Sequence, residues 1–261
     1  MIFCPLFSGS SGNSTFIASD NTKILVDAGL AGKNIENALL SIGQKPKDID
    51  AILVTHEHTD HIKGVGVLSR RYDIPIYTNE STWNAMSKSI GKIKEHNIKV
   101  ISNDYIEIND MAVTSYRISH DAADPRGYKI FSKDKCACIA TDLGFFSEEI
   151  KKILSQADII LLESNHDVEM LKFGPYPYAL KRRILSKIGH LSNDDCGKAI
   201  LDISTNKFKK IILGHLSKIN NYPKLAYKTV LNVLAKEGIE LDKDLSVSMA
   251  SRNMPSNYTQ F

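Results

Sequence analysis

The sequence predicts an α/β protein with two halves, each of which begins with short β-strands and continues with helices. Three observations lead to this fold class. Short apolar runs, some with alternating polar residues, have the pattern of β-strands. Amphipathic segments, several of which end at a glycine, have the pattern of helices. Side chains able to bind metal ions follow directly after several of the apolar runs, in both halves of the chain.

The first half contains six predicted strands and three predicted helices. The strands are Ile2–Phe7, Thr15–Ala18, Lys23–Val26, Ala51–Val54, Ile74–Tyr77 and Ile98–Ile101. The helices are Asn34–Ile42, Ile62–Arg71 and Glu80–Ser89. Gly43 is a stop signal for the first helix, and Asp60 is a candidate N-cap for the second.

The second half repeats this arrangement. Its predicted strands are Tyr105–Ile108, Val113–Ile118, Gly127–Ser132, Cys136–Ala140, Asp158–Leu162, Lys210–Leu213 and Leu245–Met249. Its predicted helices are Ser147–Ser155, Pro177–Gly189, Asn193–Ser204 and Tyr222–Lys236, and Ser251–Phe261 is predicted to be a polar tail. Because no linker-like or repetitive segment divides the chain, we expect a single domain, residues 1–261.

Composition and charge narrow the class of protein. Hydrophobic residues make up 43% of the chain and charged residues 24%, which is typical of a globular domain. The net charge of +3 permits an anionic substrate but lacks the strongly basic character of many nucleic-acid-binding domains. The four cysteines form no CxxC pair, and no signal-like or membrane-spanning apolar run is present. We therefore expect a cytoplasmic protein with reduced cysteines and no contact with a membrane.

The segment His56–His61 is the most informative part of the chain. It places three imidazoles and the carboxylate of Asp60 directly after the apolar run Ala51–Val54. In an extended loop His56 and His58 point to the same side, whereas Asp60 and His61 lie on the following turn and face a neighbouring point. This spacing indicates two adjacent metal ions, about 3.5–4 Å apart. The alternative is a histidine-rich surface loop that binds metal incidentally.

Two further donors follow predicted strands in the second half. His120 is the natural third nitrogen for the metal that His56 and His58 leave under-coordinated, since catalytic zinc takes three protein ligands plus water. Asp142 has two carboxylate oxygens and can bridge two cations. The alternative role for Asp142 is to cap the helix predicted to begin at Ser147.

Two polar segments near the amino terminus have more than one interpretation. Ser8–Ser14 is either an ordinary hairpin loop or a glycine-opened loop whose amides and hydroxyls face an oxyanion such as phosphate. In the second case Ser10, Ser11 and Asn13 contact the substrate. Asp27 is either a metal ligand or, as we favour, a residue that orients neighbouring donors through hydrogen bonds.

In order along the chain, these donors resemble the signature of the metallo-β-lactamase superfamily. The matching residues are Asp27, His56-x-His58-x-Asp60-His61, His120, Asp142 and His215. The resemblance spans nearly the whole chain and implies a four-layer αββα sandwich. It also implies one metal ion on His56, His58 and His120, a second on Asp60, His61 and His215, and a bridging Asp142.

Within the superfamily, the chain resembles the bacterial YycJ/WalJ group, which is related to the nuclease branch that includes RNase Z. The segments that carry this resemblance are Ser8–Ser14, Leu25–Gly29, His120–Asp121 with Gly127–Tyr128, Glu163–Asp167 and Gly214–Ser217. The resemblance implies that Glu163 and His190 assist the leaving group and that His166 lies near the substrate. The interval between Asp142 and His215 is too short for the inserted domain of β-CASP nucleases.

The expected function is hydrolysis of phosphodiesters with two divalent ions, and the resemblance implies 5′-to-3′ exonuclease action on DNA. Imidazole ligands suit zinc, while the carboxylates also suit manganese or iron. Asp60 would hold the attacking water or accept its proton, and His190, oriented by Glu163, would protonate the leaving oxygen. The alternatives are a metallo-hydrolase that acts on RNA or on a small ester, lactone or thioester, and a non-catalytic metal-stabilised binding protein.

Overall fold

The computed structural model describes residues 1–204 and 207–261, and in it two β-sheets pack face to face between layers of helices. This order of helices, sheet, sheet and helices confirms the expected αββα sandwich. Both sheets follow the same plan. In each sheet the strands that come first along the chain pair antiparallel, and the strands that follow them pair in parallel. The short carboxyl-terminal strand departs from this plan, because it pairs antiparallel at the edge of the first sheet.

The first sheet combines the amino-terminal half of the chain with one strand from the carboxyl terminus. Its strands are β1 (Ile2–Phe7), β2 (Ser14–Ala18), β3 (Lys23–Val26), β4 (Ala51–Leu53), β5 (Ile76–Thr78), β6 (Ile98–Val100) and β14 (Thr259–Gln260). Their spatial order is β14-β1-β2-β3-β4-β5-β6. Strands β3 to β6 run parallel, so their carboxyl ends meet at one edge of the sandwich.

The second sheet is built from the other half of the chain. Its strands are β7 (Tyr105–Ile108), β8 (Met111–Arg117), β9 (Arg126–Ser132), β10 (Lys135–Ala140), β11 (Ile159–Glu163), β12 (Lys209–Gly214) and β13 (Leu245–Met249). Their spatial order is β13-β12-β11-β10-β9-β8-β7. Because β8 and β10 are both antiparallel to β9, the strands β8, β10, β11 and β12 all run in the same direction.

The longer helices form the two outer layers, and short helices lie in the connections around the site. They are α1 (Gly32–Ser41), α2 (Thr59–Ile62), α3 (Val65–Tyr72), α4 (Glu80–Ile90), α5 (Glu148–Leu154), α6 (Val168–Phe173), α7 (Tyr178–Ile184), α8 (Asn193–Ile203) and α9 (Pro223–Lys236). Short 3-10 turns cover Pro46–Asp48 and Glu95–Asn97. Trp83 and Met86 of α4 are buried in the core between the first sheet and its helices.

The central strands are apolar over most of their length because both of their faces are buried. In β4, Ala51 and Leu53 face the opposite sheet, whereas Ile52 faces the helices. Strand β11 has the same division, with Ile159 on the inner face and Ile160 on the helical face. The cluster between the sheets contains residues from both halves of the chain, so it joins them into one packed body.

Three expectations about the elements were wrong. The predicted helix Ile62–Arg71 is interrupted at Gly64, whose amide donates to the Ala28 carbonyl at 2.7 Å, and a Cβ there would lie 2.4 Å from the Leu30 carbonyl oxygen. This close approach of two chain segments ends α2 and makes α3 a separate helix. Accordingly, the residue at the N-cap position of α2 is His58, and Asp60 lies in its first turn.

The second and third corrections concern the other half. The helix predicted over Pro177–Gly189 ends at Ile184, because the amides of Gly189 and His190 donate to turn carbonyls and bring the chain back to the site. The predicted polar tail is not a tail, since Thr259–Gln260 pairs with β1 as an edge strand. Sequence periodicity is too weak over two residues to reveal such a strand.

Candidate metal centre and active site

The metal-binding side chains of both halves lie at the edge of the sandwich where the carboxyl ends of the strands meet. The loop after β4 carries His56 and His58, and the loops after β10 and β12 carry Asp142 and His215. Asp142 and His215 have positive φ angles of 58° and 54°, as does Asp27 at 61° after β3. Residues other than glycine seldom adopt this backbone conformation, and such backbone strain concentrates at functional sites.

One group of donors consists of His56, His58 and His120. The Nε2 of His56 and the Nδ1 of His58 are 3.1 Å apart, and the Nε2 of His120 is 3.3 Å from the same His58 nitrogen. Each of the three residues presents one ring nitrogen to a common point, and these nitrogens lie within 4.8 Å of one another. The structure therefore brings together the three nitrogens that the sequence predicts for one ion.

The other group consists of Asp60, His61 and His215. The Oδ2 atom of Asp60 lies 3.7 Å from the Nε2 atoms of both His61 and His215. His61 and His215 are buried, whereas Asp60 is partly exposed, so this group opens to solvent at the carboxylate. These three residues also fulfil the distance condition for a shared cation.

Asp142 lies between the two groups. Its Oδ2 atom is 3.1 Å from the Nε2 of His61, and its Oδ1 atom is 3.5 Å from the Nε2 of His215 and 3.7 Å from that of His120. The carboxylate is 2% exposed. It faces both donor groups, and the alternative cap role does not apply, because the N-cap of α5 is Ser147.

The second ring nitrogen of most of these histidines is held by a partner. The Nδ1 atoms of four rings pair with Thr55 Oγ1 at 3.0 Å (His56), Asp27 Oδ2 at 2.7 Å (His61), the Gly189 carbonyl at 3.2 Å (His120) and Glu163 Oε1 at 2.7 Å (His215). An acceptor at Nδ1 fixes the proton there and leaves the Nε2 lone pair free. All four Nε2 atoms then point towards the centre, where a metal ion can take the place of any proton they carry.

The residues present fit a divalent cation. The Oδ2 of Asp142 and the Nε2 of His215 are buried and make no hydrogen bond with acceptable geometry among the described residues. Buried polar atoms almost always have a partner, so these two atoms call for a ligand from outside the chain. Imidazole nitrogens together with carboxylate oxygens suit zinc, manganese and iron. The cluster therefore has the chemistry of a divalent metal site.

The electrostatics of the cluster show how strongly its charges interact. Burial opposes the charged form of His215, but the nearby carboxylates of Asp142, Asp60 and Glu163 outweigh it and raise the His215 pKa to about 10. Burial likewise opposes the ionised form of Glu163, but the charge and hydrogen bonds of His190 and His215 lower the Glu163 pKa to about 2. Burial and the charge of His61 hold the pKa of His56 well below its ordinary value.

Glu163 holds two imidazoles at once. Its Oε1 accepts from the Nδ1 of His190 at 2.8 Å and from the Nδ1 of His215 at 2.7 Å. Its Oε2 accepts from the backbone amides of Leu143 at 2.6 Å and Leu191 at 3.2 Å. The pairing with His190 agrees with the sequence-based expectation. The contact with His215 was missed, because nothing local in the sequence connects residues at the ends of two different strands.

The loop Ser8–Ser14 touches the second donor group through Asn13. The Asn13 side chain accepts from the Gly9 amide at 2.9 Å, and its Nδ2 lies 3.1 Å from the Nε2 of His61. Asn13 is 6% exposed, whereas Ser10 and Ser11 are exposed. The predicted contacts of Ser10, Ser11 and Asn13 with substrate stay predictions.

Two other polar side chains near the site, those of His166 and Arg126, are buried. His166 is 1% exposed, and neither of its ring nitrogens has a hydrogen-bond partner among the described residues. Burial lowers its pKa to about 4, so the ring is neutral near pH 7, and its contact with substrate stays a prediction. Arg126 lies close in sequence to His120, but its side chain is buried and paired with Asp104 and Asp124. Those pairs neutralise its charge.

Comparison with known proteins identifies the family. The model of the metallo-beta-lactamase superfamily matches residues 8–215. The chain belongs to this superfamily. It is 44% identical over 258 residues to the exodeoxyribonuclease WalJ of Streptococcus pneumoniae, a match that covers 98% of this chain and 96% of the relative. It is 42% identical over 255 residues to the exodeoxyribonuclease YycJ of Bacillus anthracis, with 97% of each chain covered.

A solved structure of another protein gives the same fold. The short form of human tRNase Z superposes with a TM-score of 0.64 over 100% of both chains, at 15% sequence identity. The family model and the two sequence relatives confirm the superfamily and the resemblance to the YycJ/WalJ group. In residues 1–204 and 207–261, no helix is both long enough and apolar enough to cross a membrane.

Proposed function

We propose that this metallo-β-lactamase-fold protein is a dinuclear-metal-dependent phosphodiester hydrolase that degrades DNA from the 5′ end. The observation that carries the proposal is the pair of donor groups that share Asp142, with the Glu163–His190 pair beside them. The identity of 42–44% to proteins named exodeoxyribonucleases, over almost their whole length, supports DNA as the substrate. The substrate partner is accordingly a nucleic acid.

The proposed ligands follow from the two groups. One ion would be held by His56, His58 and His120, the other by Asp60, His61 and His215, with Asp142 shared between them. Zinc and manganese fit these donors best, and iron is a further option. Two such ions would supply Lewis acidity, which lowers the pKa of water and offsets negative charge on a phosphodiester.

The chain's own residues account for the proton transfers. Asp60 is partly exposed at the mouth of the centre and is placed to accept a proton from the attacking water. His190 is partly exposed and held through its Nδ1, so its Nε2 is the group that would donate a proton to the leaving oxygen. Burial lowers the pKa of His190, but Glu163 outweighs that effect and raises it, which favours the protonated form that a general acid needs.

The proposal also includes the domain organisation and the cellular location of the protein. We propose that residues 1–261 act as one domain, because the core between the sheets draws on both halves. A cytoplasmic location fits the four cysteines, which are all buried and free.

The deciding experiment is digestion of DNA and RNA strands that carry a label at the 5′ or the 3′ end, with Mn²⁺ or Zn²⁺ added. We expect wild-type protein to shorten DNA from the 5′ end and the Asp60→Ala variant to leave it intact. Cleavage of RNA alone, or turnover only of a small ester, lactone or thioester, would replace DNA by that substrate. Bound metal without any hydrolysis would point to a non-catalytic binding protein.

A further inference from the structure

A small cavity lies beside the metal centre. Its volume is about 220 Å³, and its walls come from Ser8 directly after β1, the segment after His215, the start of α9 and the carboxyl-terminal segment. The polar and charged side chains that line it include those of Ser8, Ser217, Lys218, Tyr222 and Arg252. Sites for drug-sized ligands are about 300–1,000 Å³, so this cavity suits a smaller group such as a phosphate or a single nucleotide.

The cavity is connected directly to a candidate metal ligand. The hydroxyl of Ser8, which lines the cavity, accepts from the backbone amide of His215 at 2.9 Å. Leu216 and Ser217, the next residues along the chain, form another part of the wall, and Leu216 pairs with Gly9 in an isolated β-bridge. One wall of the cavity is therefore continuous with the second donor group.

Two cationic side chains, those of Lys218 and Arg252, line the cavity. The Arg252 guanidinium donates to the Leu216 carbonyl and approaches the hydroxyls of Ser11 at 3.3 Å and Ser10 at 3.5 Å. In residues 1–204 and 207–261, no carboxylate pairs with Arg252 or with the exposed Lys218. None of the described residues that line the cavity is acidic.

Two arginines near the centre differ from Arg252 because carboxylates neutralise them. Arg126 pairs with Asp104 and Asp124, and Arg183 pairs with Asp121. An arginine that is half-buried without a carboxylate still presents its guanidinium fork to an incoming anion. The start of α9 at Pro223 lies in the same wall, and the amino end of a helix favours negative charge.

The loop Ser8–Ser14 contacts Arg252 closely and leaves space for its guanidinium group. A Cβ on Gly9 would lie 2.8 Å from an Arg252 guanidinium nitrogen, so a larger residue would displace the side chain. The carboxyl-terminal segment is fixed as well, since the Ser8 amide donates to the Ser251 carbonyl at 3.0 Å. The glycine and serines of the loop thus have a role in holding Arg252 at the cavity.

We propose that this cavity binds the 5′-terminal phosphate of the DNA strand, with Arg252 and Lys218 as its anion-binding residues. The exposed ring of Tyr222 forms one wall and offers a surface on which the terminal base stacks. This inference rests on the proposed exonuclease function. It assigns to the enzyme a preference for strands that begin with a phosphate over strands that begin with a hydroxyl.

The test compares two DNA strands of one sequence, one with a 5′-phosphate and one with a 5′-hydroxyl. We expect wild-type kcat/KM to be about 10- to 100-fold higher for the phosphorylated strand, as expected for charge-assisted hydrogen bonds. The Arg252→Ala variant should lose most of this preference, because it should slow the phosphorylated strand much more than the hydroxyl strand. Arg252→Lys should restore part of it, because lysine keeps the charge but not the fork.

Control variants separate binding from folding. Arg71→Ala removes an arginine on the outer helix α3 that pairs with Glu36, and it should leave the preference unchanged. Lys218→Ala removes an exposed side chain and should reduce the preference even if Arg252→Ala does not fold. Equal rates of wild-type protein on both strands, or equal slowing of both strands by Arg252→Ala, would overturn the assignment.

A binding measurement distinguishes failure of this inference from failure of the proposed function. Calorimetric titration with thymidine 5′-monophosphate and with thymidine needs no turnover. If no nucleic acid is cleaved but the monophosphate binds and Arg252→Ala abolishes binding, the cavity is a nucleotide site in a different enzyme, and the 5′-end assignment is withdrawn. If DNA is degraded from the 5′ end without regard to phosphate, the proposed function stands and this inference is wrong.

Discussion

The two halves of the protein supply their metal-binding donors in different ways. In the first half, His56, His58, Asp60 and His61 all belong to one short segment between β4 and the end of α2. In the second half, His120, Asp142 and His215 each follow a different strand. The first set is arranged by local backbone geometry, and the second set is arranged by the pairing of β8, β10 and β12 with their neighbours.

Because the two sets are arranged differently, they depend on different parts of the structure for their positions. The register of β10, β11 and β12 places Ala140 beside Leu162 and Glu163 beside Gly214, so the loops that follow start at matching heights. A slip of one residue would turn every side chain of a strand to the other face. The second set therefore depends on the whole sheet, whereas the first set needs only a correct end to β4.

Replacing Asp142 should have the largest effect, because its carboxylate faces both donor groups. We expect Asp142→Asn to lower the rate of phosphodiester hydrolysis by more than about 100-fold, since even the loss of a residue that orients a metal ligand costs 10- to 100-fold. Metal content measured by mass spectrometry should fall together with activity. A variant with near-normal metal content and rate would remove Asp142 from the centre.

Removing one ligand from each group tests whether the groups hold separate ions. His58→Ala and His215→Ala should each lose roughly one of two bound ions, because each group needs three protein donors. His215→Ala should also lower the free energy of unfolding by about 1–3 kcal/mol, because buried Glu163 loses one of its hydrogen-bond donors. His58 is only partly buried, so metal-free His58→Ala should unfold like metal-free wild type.

The carboxylates that hold the ligands provide a finer comparison. Asp27→Asn and Glu163→Gln should each weaken metal affinity by about 10- to 100-fold, as measured by competition with a chelator. Glu163 raises the pKa of His190, so Glu163→Gln lowers that pKa and moves the alkaline limb of the kcat profile to lower pH. Asp27→Asn should leave that limb in place. Identical pH profiles for the two variants would contradict the role of His190 as a proton donor.

The smallest predicted effect concerns a hydrogen bond between the halves. The Tyr128 hydroxyl donates to the Val54 carbonyl at 2.7 Å, just before the first set of donors. Tyr128→Phe should lower the free energy of unfolding, measured by urea denaturation, by about 0.5–1.5 kcal/mol. It should also weaken metal binding slightly. Tyr116→Phe is a matched control, because the Tyr116 hydroxyl donates to the Ile139 carbonyl within the second sheet. It should affect stability but not metal affinity.

Much of the site could be predicted because its signals are local. The donors at His56, His58, Asp60 and His61 lie within six residues, and the strands before the site are apolar on both faces. The same locality explains the errors. The break at Gly64 comes from contact with the carbonyls of Ala28 and Leu30, which helical periodicity does not record.

By itself, the sequence determined the order of most strands and helices along the chain, the superfamily and which residue types could bind metal, because periodicity and spacing are properties of short segments. Only the tertiary structure decided that Glu163 holds His215 across 52 residues and that Arg252 reaches Ser10 across 242. The physical reason is that these contacts depend on how distant strands pair, and no short segment contains that information.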